Sequence, residues 1–457
     1  MIAVALIPVL DARAQPAAPV VPPDAEIRRI LAERIDAQKQ SVGIVVGVIE
    51  PGGRRVVSYG SLAKGDTRPL NGDTIFEIGS ITKVFTSLLL ADAVQRREVG
   101  LSDPIAKYLP ATVKLPERGG KAIALQDLAM HVSGLPRLPG NLSPKNAANP
   151  YADYSVEDLY AFLSRYELPR DIGAQYEYSN LGGGLLGHVL ALRAQTDYET
   201  LVRTRIAQPL GMTSTAITLS PEMKARLAAG HNPALQPAAN WDLPTLAGAG
   251  ALRSSTNDLL TFLAANLRYV ESPLSAAMAS MTAVRRPTGA AGLDIALGWH
   301  VYAAHGKDIV WHNGGTAGYR TYIGYDPKAR IGVVVLSNAG TAAGPDDIGR
   351  HLLDPESALL AAPKTRTEVA IDPKVFDGYV GVYQFAPAVT LTVSREEAHF
   401  FAQLTGQPRL EIFASEAREF FLKAVDAQLT FDVDAGGRAI AVVLHQNGAN
   451  QRAPRVP

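Results

Sequence analysis

The pattern of hydrophobic and polar positions predicts a helix and a hairpin early in the chain and a return to strands much later. Residues 25–40 have the pattern of a helix, and two apolar runs, 42–49 and 54–59, flank the turn Pro51-Gly52-Gly53. The middle of the chain is mostly helical and loop-like. Short apolar runs typical of strands then return at residues 297–302, 308–311, 319–325 and 331–336.

Short turns join neighbouring strands in this pattern, which predicts an antiparallel sheet. Its strands come from both ends of the same region, with a helical insertion between them. The pattern therefore predicts an α+β fold in which helices flank an antiparallel sheet. A ligand pocket is expected at the seam between the sheet and the helical part.

The amino-acid composition of the chain changes near residues 361–366, where Ala, Pro and Lys indicate a linker. From about Asp372 onward, short runs alternate apolar and polar residues, which predicts a small all-β barrel or sandwich. The expected organisation is a leader at residues 1–24, an α+β domain at 25–355, a linker at 356–371 and a β-domain at 372–457.

Composition excludes several classes of protein. Of 457 residues, 47% are hydrophobic and 19% are charged, so the chain is globular and long enough for two or three domains. Lys+Arg and Asp+Glu both number 44, and no basic cluster occurs, so nothing indicates a nucleic-acid partner. No apolar run is long enough to span a bilayer. A small-molecule or peptide substrate is the expected partner.

The first residues have the features of a secretory signal. Residues 1–10 are almost wholly apolar, and Ala12-Arg13-Ala14 matches a cleavage site, although a basic start is missing. We therefore expect a periplasmic or secreted protein. The alternative is a disordered tail, since residues 15–23 are rich in Pro and Ala. The absence of cysteine excludes disulfides and decides nothing further.

The strongest chemical signal is the segment Ser80-Ile81-Thr82-Lys83. The residues after Ser80 lack Gly and Pro and are apolar on most faces, which predicts a buried helix starting at or just before Ser80. Lys83 then lies one turn along on the same face, where its amine reaches the Ser80 hydroxyl. A desolvated lysine is neutral enough to activate a serine nucleophile.

The same spacing occurs a second time, in Ser61-Leu62-Ala63-Lys64. This copy runs into a polar, turn-rich segment, so we interpret Ser61 as a loop residue. For Ser80 the alternative is an ordinary helix N-cap with a solvated Lys83.

Two further motifs accompany Ser80. Tyr178-Ser179-Asn180 precedes a glycine-rich turn into a helix, and His312-Asn313-Gly314-Gly315 lies between apolar runs, as expected of a strand whose glycines allow close approach. The order Ser-x-x-Lys, Tyr-x-Asn, His-x-Gly resembles the signature of the serine β-lactamase and penicillin-binding protein superfamily, in particular its class C β-lactamase-like branch. The resemblance covers roughly residues 25–355.

This resemblance implies roles for individual residues. Ser80 would be the acylated nucleophile, Lys83 its activator and Tyr178 the acid/base near the leaving group. Asn180 would bind Lys83 or the substrate. The backbone N–H groups of Ser80 and Gly315 would form the oxyanion hole, with Gly314 in the same substrate-binding strand.

The chain departs from the class C pattern at two positions. Thr82 replaces a Ser or Ala, which leaves the nucleophile assignment intact. His312 stands where β-lactamases have a lysine, so the fixed charge that attracts a β-lactam carboxylate is missing. His-x-Gly resembles instead the D-aminopeptidases, D-peptide hydrolases and esterase-like relatives. Arg320 either supplies the missing charge or is a solvated residue on an edge strand.

Other motifs are assigned to structure. Ser255-Thr256-Asn257 is interpreted as a helix cap, and the glycines of residues 182–187 as close helix packing, because no strand precedes them. The remaining histidines lack metal-ligand spacing, so neither a metal nor another cofactor is expected. His131 is either on the rim of the site or a satisfied loop histidine.

Three classes of function remain open. The first is a serine hydrolase of β-lactam, D-amino-acid peptide or ester carbonyls, and the second is a carboxylesterase with weak β-lactam turnover. The third is a penicillin-binding or sensory module that acylates without turnover. The C-terminal runs resemble the lipocalin-like domain of some relatives, which would cover the site or mediate a homo-oligomer; alternatively, it only stabilises the chain.

Overall fold

A computed structural model describes residues 21–361, 366–386, 389–405, 409–422, 427–446 and 449–456. The expected leader lies outside these residues up to position 20, as do residues 362–365 of the expected linker. Val21 is fully buried in the core of the first domain. The packed part of the chain therefore begins no later than Val21, ahead of the expected boundary at residue 25.

The strands before residue 361 are β1 Gly43–Glu50, β2 Gly53–Gly60, β3 Ile75–Glu77, β4 Glu117–Arg118, β5 Lys121–Ala122, β6 Arg253–Ser255, β7 Arg286–Pro287, β8 Leu293–Ile295, β9 His300–Ala304, β10 Lys307–Gly315, β11 Arg320–Asp326 and β12 Ile331–Ser337. Eight of them form one antiparallel sheet in the order β2-β1-β12-β11-β10-β9-β8-β7. In it, β1 pairs with β12, and Ile44 lies opposite Ser337. The predicted antiparallel sheet built from both ends of the domain is confirmed.

The helices of this domain are α1 Asp24–Ala32, α2 Thr82–Gln95, α3 Leu125–Ala129, α4 Val156–Leu163, α5 Asn180–Arg193, α6 Tyr198–Val202, α7 Gln208–Leu210, α8 Pro221–Ala225, α9 Ala247–Gly250, α10 Thr256–Asn266, α11 Ser275–Ser280 and α12 Asp346–Leu353. Short 3₁₀ turns occur at Gly79–Ile81 and Ile105–Tyr108, and π-helical turns at Glu33–Ala37 and Arg203–Ala207. Most helices lie between β2 and β7 in the chain, as expected of a helical insertion.

Alternate residues of the central strands enter two different cores. Val45 and Leu336 pack with the inserted helices, whereas Val46 and Val335 pack with α1 and α12. Successive side chains of a strand point to opposite faces, so both faces of the sheet are covered. The helix α2 is buried on every side from Thr82 to Ala93.

The C-terminal domain is a closed eight-stranded antiparallel barrel preceded by a short helix. Its elements are α13 Pro373–Asp377, β13 Gly381–Ala386, β14 Val389–Glu396, β15 His399–Leu404, β16 Leu410–Ala414, β17 Glu419–Leu422, β18 Ala427–Val433, β19 Ala439–Gln446 and β20 Ala449–Val456. Phe376 of α13 is fully buried and stacks on Phe400, with 4.1 Å between ring centroids. Aromatic side chains therefore pack inside the barrel and form its core.

Among the described residues, no helix combines the length and the apolar character that a bilayer crossing requires.

The strand β10 passes very close to the turn that carries Ser80. Thr321 Oγ1 on β11 donates to the Ile78 carbonyl at 2.9 Å. A Cβ atom at Gly314 would lie 2.0 Å from that carbonyl oxygen, and a Cβ atom at Gly79 would lie 2.6 Å from the backbone nitrogen of Gly315. Gly79 also has a φ of +51°, which disfavours any other residue. Only glycine at these positions allows the sheet to approach the turn.

We therefore expect Gly314→Ala to lower the free energy of unfolding by about 1 to 3 kcal/mol through overpacking. In Gly52→Ala, the matched control in the β1–β2 turn, the new Cβ has no atom within 4 Å, so the change should stay within about 0.5 kcal/mol. The measurement is urea unfolding followed by tryptophan fluorescence, which reports on this domain because Trp241, Trp299 and Trp311 all lie in it. Equal midpoints for the two variants would contradict the close approach.

Candidate active site

Ser80 and Lys83 lie together where the 3₁₀ turn Gly79–Ile81 runs into α2. Lys83 Nζ is 3.0 Å from Ser80 Oγ. The structure thus brings together the two residues that the sequence placed one helical turn apart. The hydroxyl of Thr82, the residue that departs from the class C pattern, accepts the N–H of Leu252 at 3.2 Å, which connects the start of α2 to the residue just before β6.

The Lys83 amine is surrounded by three acceptors. Besides Ser80 Oγ, it lies 2.9 Å from Asn180 Oδ1 and 2.7 Å from the Ala249 carbonyl oxygen of α9. Only 2% of Lys83 is exposed. Burial lowers the pKa of Lys83 well below its usual range, and the nearby charge of Arg137 acts in the same direction.

A neutral amine has two N–H donors and one lone pair. The Ala249 carbonyl and Asn180 Oδ1 can only accept, so they take the two N–H groups. In the neutral form of Lys83 the lone pair therefore faces Ser80 Oγ, which is the orientation that a base needs to remove the hydroxyl proton.

Glycines on α5 make room for this arrangement. A Cβ at Gly183 would lie 2.9 Å from Lys83 Cε, and one at Gly187 would lie 2.8 Å from Gly248 Cα. The interpretation of these glycines as close helix packing is confirmed. The absence of a side chain at Gly183 leaves the space that the methylene groups of Lys83 occupy.

Tyr178 is half-buried beside this pair. Its ring centroid is 4.8 Å from Lys83 Nζ, and its hydroxyl interacts with the side chain of Ser80. Burial raises the pKa of Tyr178 above its usual range, and the hydrogen bond with Ser80 acts in the opposite direction but is weaker. The raised pKa of Tyr178 beside the lowered pKa of Lys83 is the pattern of a proton donor next to a proton acceptor.

Asn180 begins α5, where Ser179 is the N-cap and accepts the Gly182 N–H at 2.8 Å. Of the two roles expected for Asn180, contact with Lys83 is observed. The side chain of Tyr151 also forms a hydrogen bond with the side chain of Asn180, which gives the amide a second partner.

His131 does not lie on the rim of the site. Only 2% of it is exposed, and its ring packs against Tyr178 with 4.6 Å between centroids. Its Nδ1 accepts the backbone N–H of Ser179 at 3.2 Å, so Nδ1 carries no proton. Burial lowers the pKa of His131, which keeps the ring neutral as this contact requires. His131 thus supports the Tyr178 segment rather than the substrate.

Gly314 and Gly315 end β10 next to Gly79. The backbone nitrogen of Gly315 therefore lies beside the turn that carries Ser80. This proximity suits the oxyanion hole that the resemblance implies, in which both N–H groups point at one developing charge.

His312, on the same strand, is fully buried. Its Nδ1 is 2.6 Å from the Asn313 carbonyl oxygen, so Nδ1 carries the proton and Nε2 is a free acceptor. Its ring lies 6.3 Å from that of Tyr178 and 5.3 Å from that of His300. Burial lowers the pKa of His312 well below its usual range, with His300 and Lys83 contributing. The third motif therefore carries no positive charge.

Arg320 is not on an edge strand, because β11 is hydrogen-bonded to both β10 and β12. The residue is half-buried, and its Nη1 donates to the carbonyls of Thr316 at 2.7 Å and Tyr319 at 3.0 Å. These contacts hold the loop after Gly315. The alternative of a solvated arginine is wrong, and a part of the guanidinium is already engaged with backbone oxygens.

The sequence did not reveal several contributors to the site. Ala249 acts through a carbonyl group, which no residue type marks. His300, whose Nε2 is 3.0 Å from the Tyr176 hydroxyl, is a distant residue in the chain. Arg137, whose Cζ is 5.1 Å from the Tyr178 ring centroid, had a usable signal. Arg137 directly follows Gly134-Leu135-Pro136, whose Gly and Pro mark a loop, and loops often carry binding residues.

The competing serines are placed elsewhere. Ser61 follows β2 in a non-helical segment, where its carbonyl oxygen accepts from Asn338 at 3.1 Å. Ser255 is the N-cap of α10 and accepts the Asp258 N–H at 3.2 Å. Both interpretations from the sequence are confirmed.

One group of side chains within the described ranges has the spacing of metal ligands, namely His305, Asp354 and Glu356. Lys307 Nζ is 3.2 Å from Asp354 Oδ1 and competes with a cation there. The group lies at the opposite end of β10 from Gly315 and takes no part in the site around Ser80.

Comparison with known proteins agrees with this geometry. The family described as Beta-lactamase matches residues 27–355, and a domain of unknown function, DUF3471, matches residues 365–453. The D-alanyl-D-alanine-carboxypeptidase/endopeptidase AmpH of Escherichia coli (strain K12) is 31% identical over 322 residues, covering 67% of this chain and 81% of the relative.

Two further relatives extend the comparison. A penicillin-binding protein of Bacillus subtilis (strain 168) is 27% identical and covers 87% of this chain and 91% of its own length. The crystal structure of a class C beta lactamase from Rhodobacter sphaeroides superposes with a TM-score of 0.60 at 27% identity, covering 69% of this chain and 94% of that one. The chain, with its Ser80–Lys83 pair, its Tyr178 segment and its β10 strand in one site, belongs to the beta-lactamase family.

Proposed function

We propose that this protein is a serine hydrolase that forms an acyl-enzyme on Ser80 and hydrolyses amide or ester carbonyls. The observation that carries the proposal is the position of the Lys83 amine, which is buried and lies 3.0 Å from Ser80 Oγ, where burial lowers its pKa toward the neutral form. A serine hydroxyl is a poor nucleophile until such a base removes its proton.

The reaction follows from this arrangement. Lys83 takes the hydroxyl proton as Ser80 Oγ bonds to the substrate carbonyl carbon, and the oxyanion lies between the N–H groups of Ser80 and Gly315. Tyr178 gives its proton to the leaving nitrogen or oxygen, and Lys83 returns a proton to Tyr178. Water then hydrolyses the acyl ester, which regenerates the Ser80 hydroxyl and releases the acid.

The neutral third motif favours certain substrates. Because His312 is buried and uncharged, it offers no fixed cation to a β-lactam carboxylate. D-amino-acid peptides or esters that need no cation at this position of β10 therefore suit the third motif better than antibiotics that depend on one. A carboxylesterase with weak β-lactam turnover is the second candidate, and the same observation favours it. The release of product distinguishes both of these enzymes from a module that is acylated by the substrate and does not turn it over.

The nucleophile can be identified by mass spectrometry. After mixing with a fluorescent penicillin, a p-nitrophenyl ester or a D-alanyl amide, we expect an acyl adduct on the peptide that contains Ser80. Ser80→Ala should abolish both adduct and turnover. Ser61→Ala is the matched control, because it removes the serine of the same spacing from a segment outside the site, and it should leave both intact. An adduct on the Ser61 peptide would contradict the assignment.

The pH dependence tests which group is the base. Neutral Lys83 exists only above its pKa, so kcat/KM should fall as the pH drops through a value below the usual range of lysine. Tyr178→Phe should lower kcat by roughly two to four powers of ten, the usual worth of a general acid/base, and keep this acidic limb.

Loss of the acidic limb in Tyr178→Phe would show instead that the phenolate of Tyr178 is the base. Circular dichroism and the unfolding midpoint of the variant serve as controls for folding. An unchanged kcat in the variant would transfer the proton donor role to another group.

A further inference from the structure

Arg137 lies beside Tyr178 at the solvent-exposed side of the site. Its backbone carbonyl accepts the N–H groups of Asn180 at 2.9 Å and Leu181 at 3.2 Å, so the residue is fixed to the start of α5. Its guanidinium lies over the face of Tyr178, with Cζ 5.1 Å from the ring centroid. Arg137 is exposed to solvent. A cation that stacks on a half-buried catalytic phenol and still faces solvent is available to a ligand.

The other basic groups around Tyr178 do not offer a free positive charge. Lys83 is buried and its pKa is lowered, and the same is true of His131 and His312. Arg320 is half-buried and donates to two backbone carbonyls of its own loop. Among the described residues, no carboxylate forms an ion pair with Arg137, whose observed side-chain contact is the ring of Tyr178.

We propose that Arg137 is a specificity-determining residue that binds a carboxylate of the substrate beside Ser80. This inference rests on the proposed hydrolase function and names its substrate class: amides and esters that carry a free carboxylate close to the reacting carbonyl. Arg137 thereby supplies, from the helical side of the site, the positive charge that His312 on β10 does not provide. The planar guanidinium can pair with a carboxylate through two hydrogen bonds while its face stays on Tyr178.

The test compares two esters with the same leaving group, p-nitrophenyl butyrate and mono-p-nitrophenyl glutarate, which differ in a terminal carboxylate. A penicillin, whose carboxylate lies on the other side of the scissile bond, is the third substrate. In Arg137→Gln, the ratio of kcat/KM for an anionic substrate to that for the butyrate should fall by about threefold to about thirtyfold. Arg137→Lys should retain part of the ratio, and the wild-type ratio should shrink as salt is added.

Arg54→Gln is the matched control for net charge. Arg54 is exposed and lies opposite Ile49, at the end of the sheet away from Gly315, as the strand register shows. This variant should keep the wild-type ratio. All rates are measured on the plateau above the acidic limb, because Arg137 also contributes to the lowered pKa of Lys83.

Equal losses on the neutral and the anionic ester in Arg137→Gln would overturn the proposal and show that Arg137 only positions Tyr178. A ratio equal to that of Arg54→Gln would overturn it as well. A fall for the glutarate alone or for the penicillin alone supports it and places the carboxylate on the acyl or the leaving-group side. Absence of any Ser80 adduct in the wild type would overturn the hydrolase function itself, which is a different result from an unchanged ratio.

Discussion

The removal of Lys83 from water is the physical constraint on which the site depends. An exposed lysine is an ammonium ion and cannot accept a proton, whereas a buried one without a countercharge favours the neutral amine. The groups that touch Nζ are a hydroxyl, an amide oxygen and a backbone carbonyl, and none of them carries a formal charge. Two of them cannot donate, so they also decide which way the lone pair points.

This environment is assembled from three separate parts of the chain through unusually close backbone packing. Gly183 admits the stem of Lys83, while Gly79 and Gly314 admit β10 to the serine turn. His131 then holds the N–H of Ser179 and packs under Tyr178. Close packing of this kind restricts small displacements of the side chains around Ser80. A displacement of about 1 Å between reacting groups lowers the rate of such reactions strongly.

Much of this could be predicted from the sequence, because the chemistry lies in side chains with a local pattern. The apolar residues around Ser80 indicated a buried helix, and the late strands indicated a sheet built from both ends of the domain. What failed depends on contacts between distant residues. The depth of His131 and the central position of Arg320 follow from tertiary packing and strand order, which no local pattern records. The Ala249 carbonyl could not be foreseen, since every residue has one.

The pairing of β1 with β12 also sets the order in which the parts of the site form during folding. Ile44 cannot meet Ser337 until nearly the whole domain has been synthesised, and pairing between such distant segments is slow compared with local helix formation. Until then β1 presents an open edge, and the turn that carries Ser80 lacks the strand β10, which packs against it in the folded domain. The surroundings of Ser80 are therefore complete only after the late strands β10 to β12 have joined the sheet.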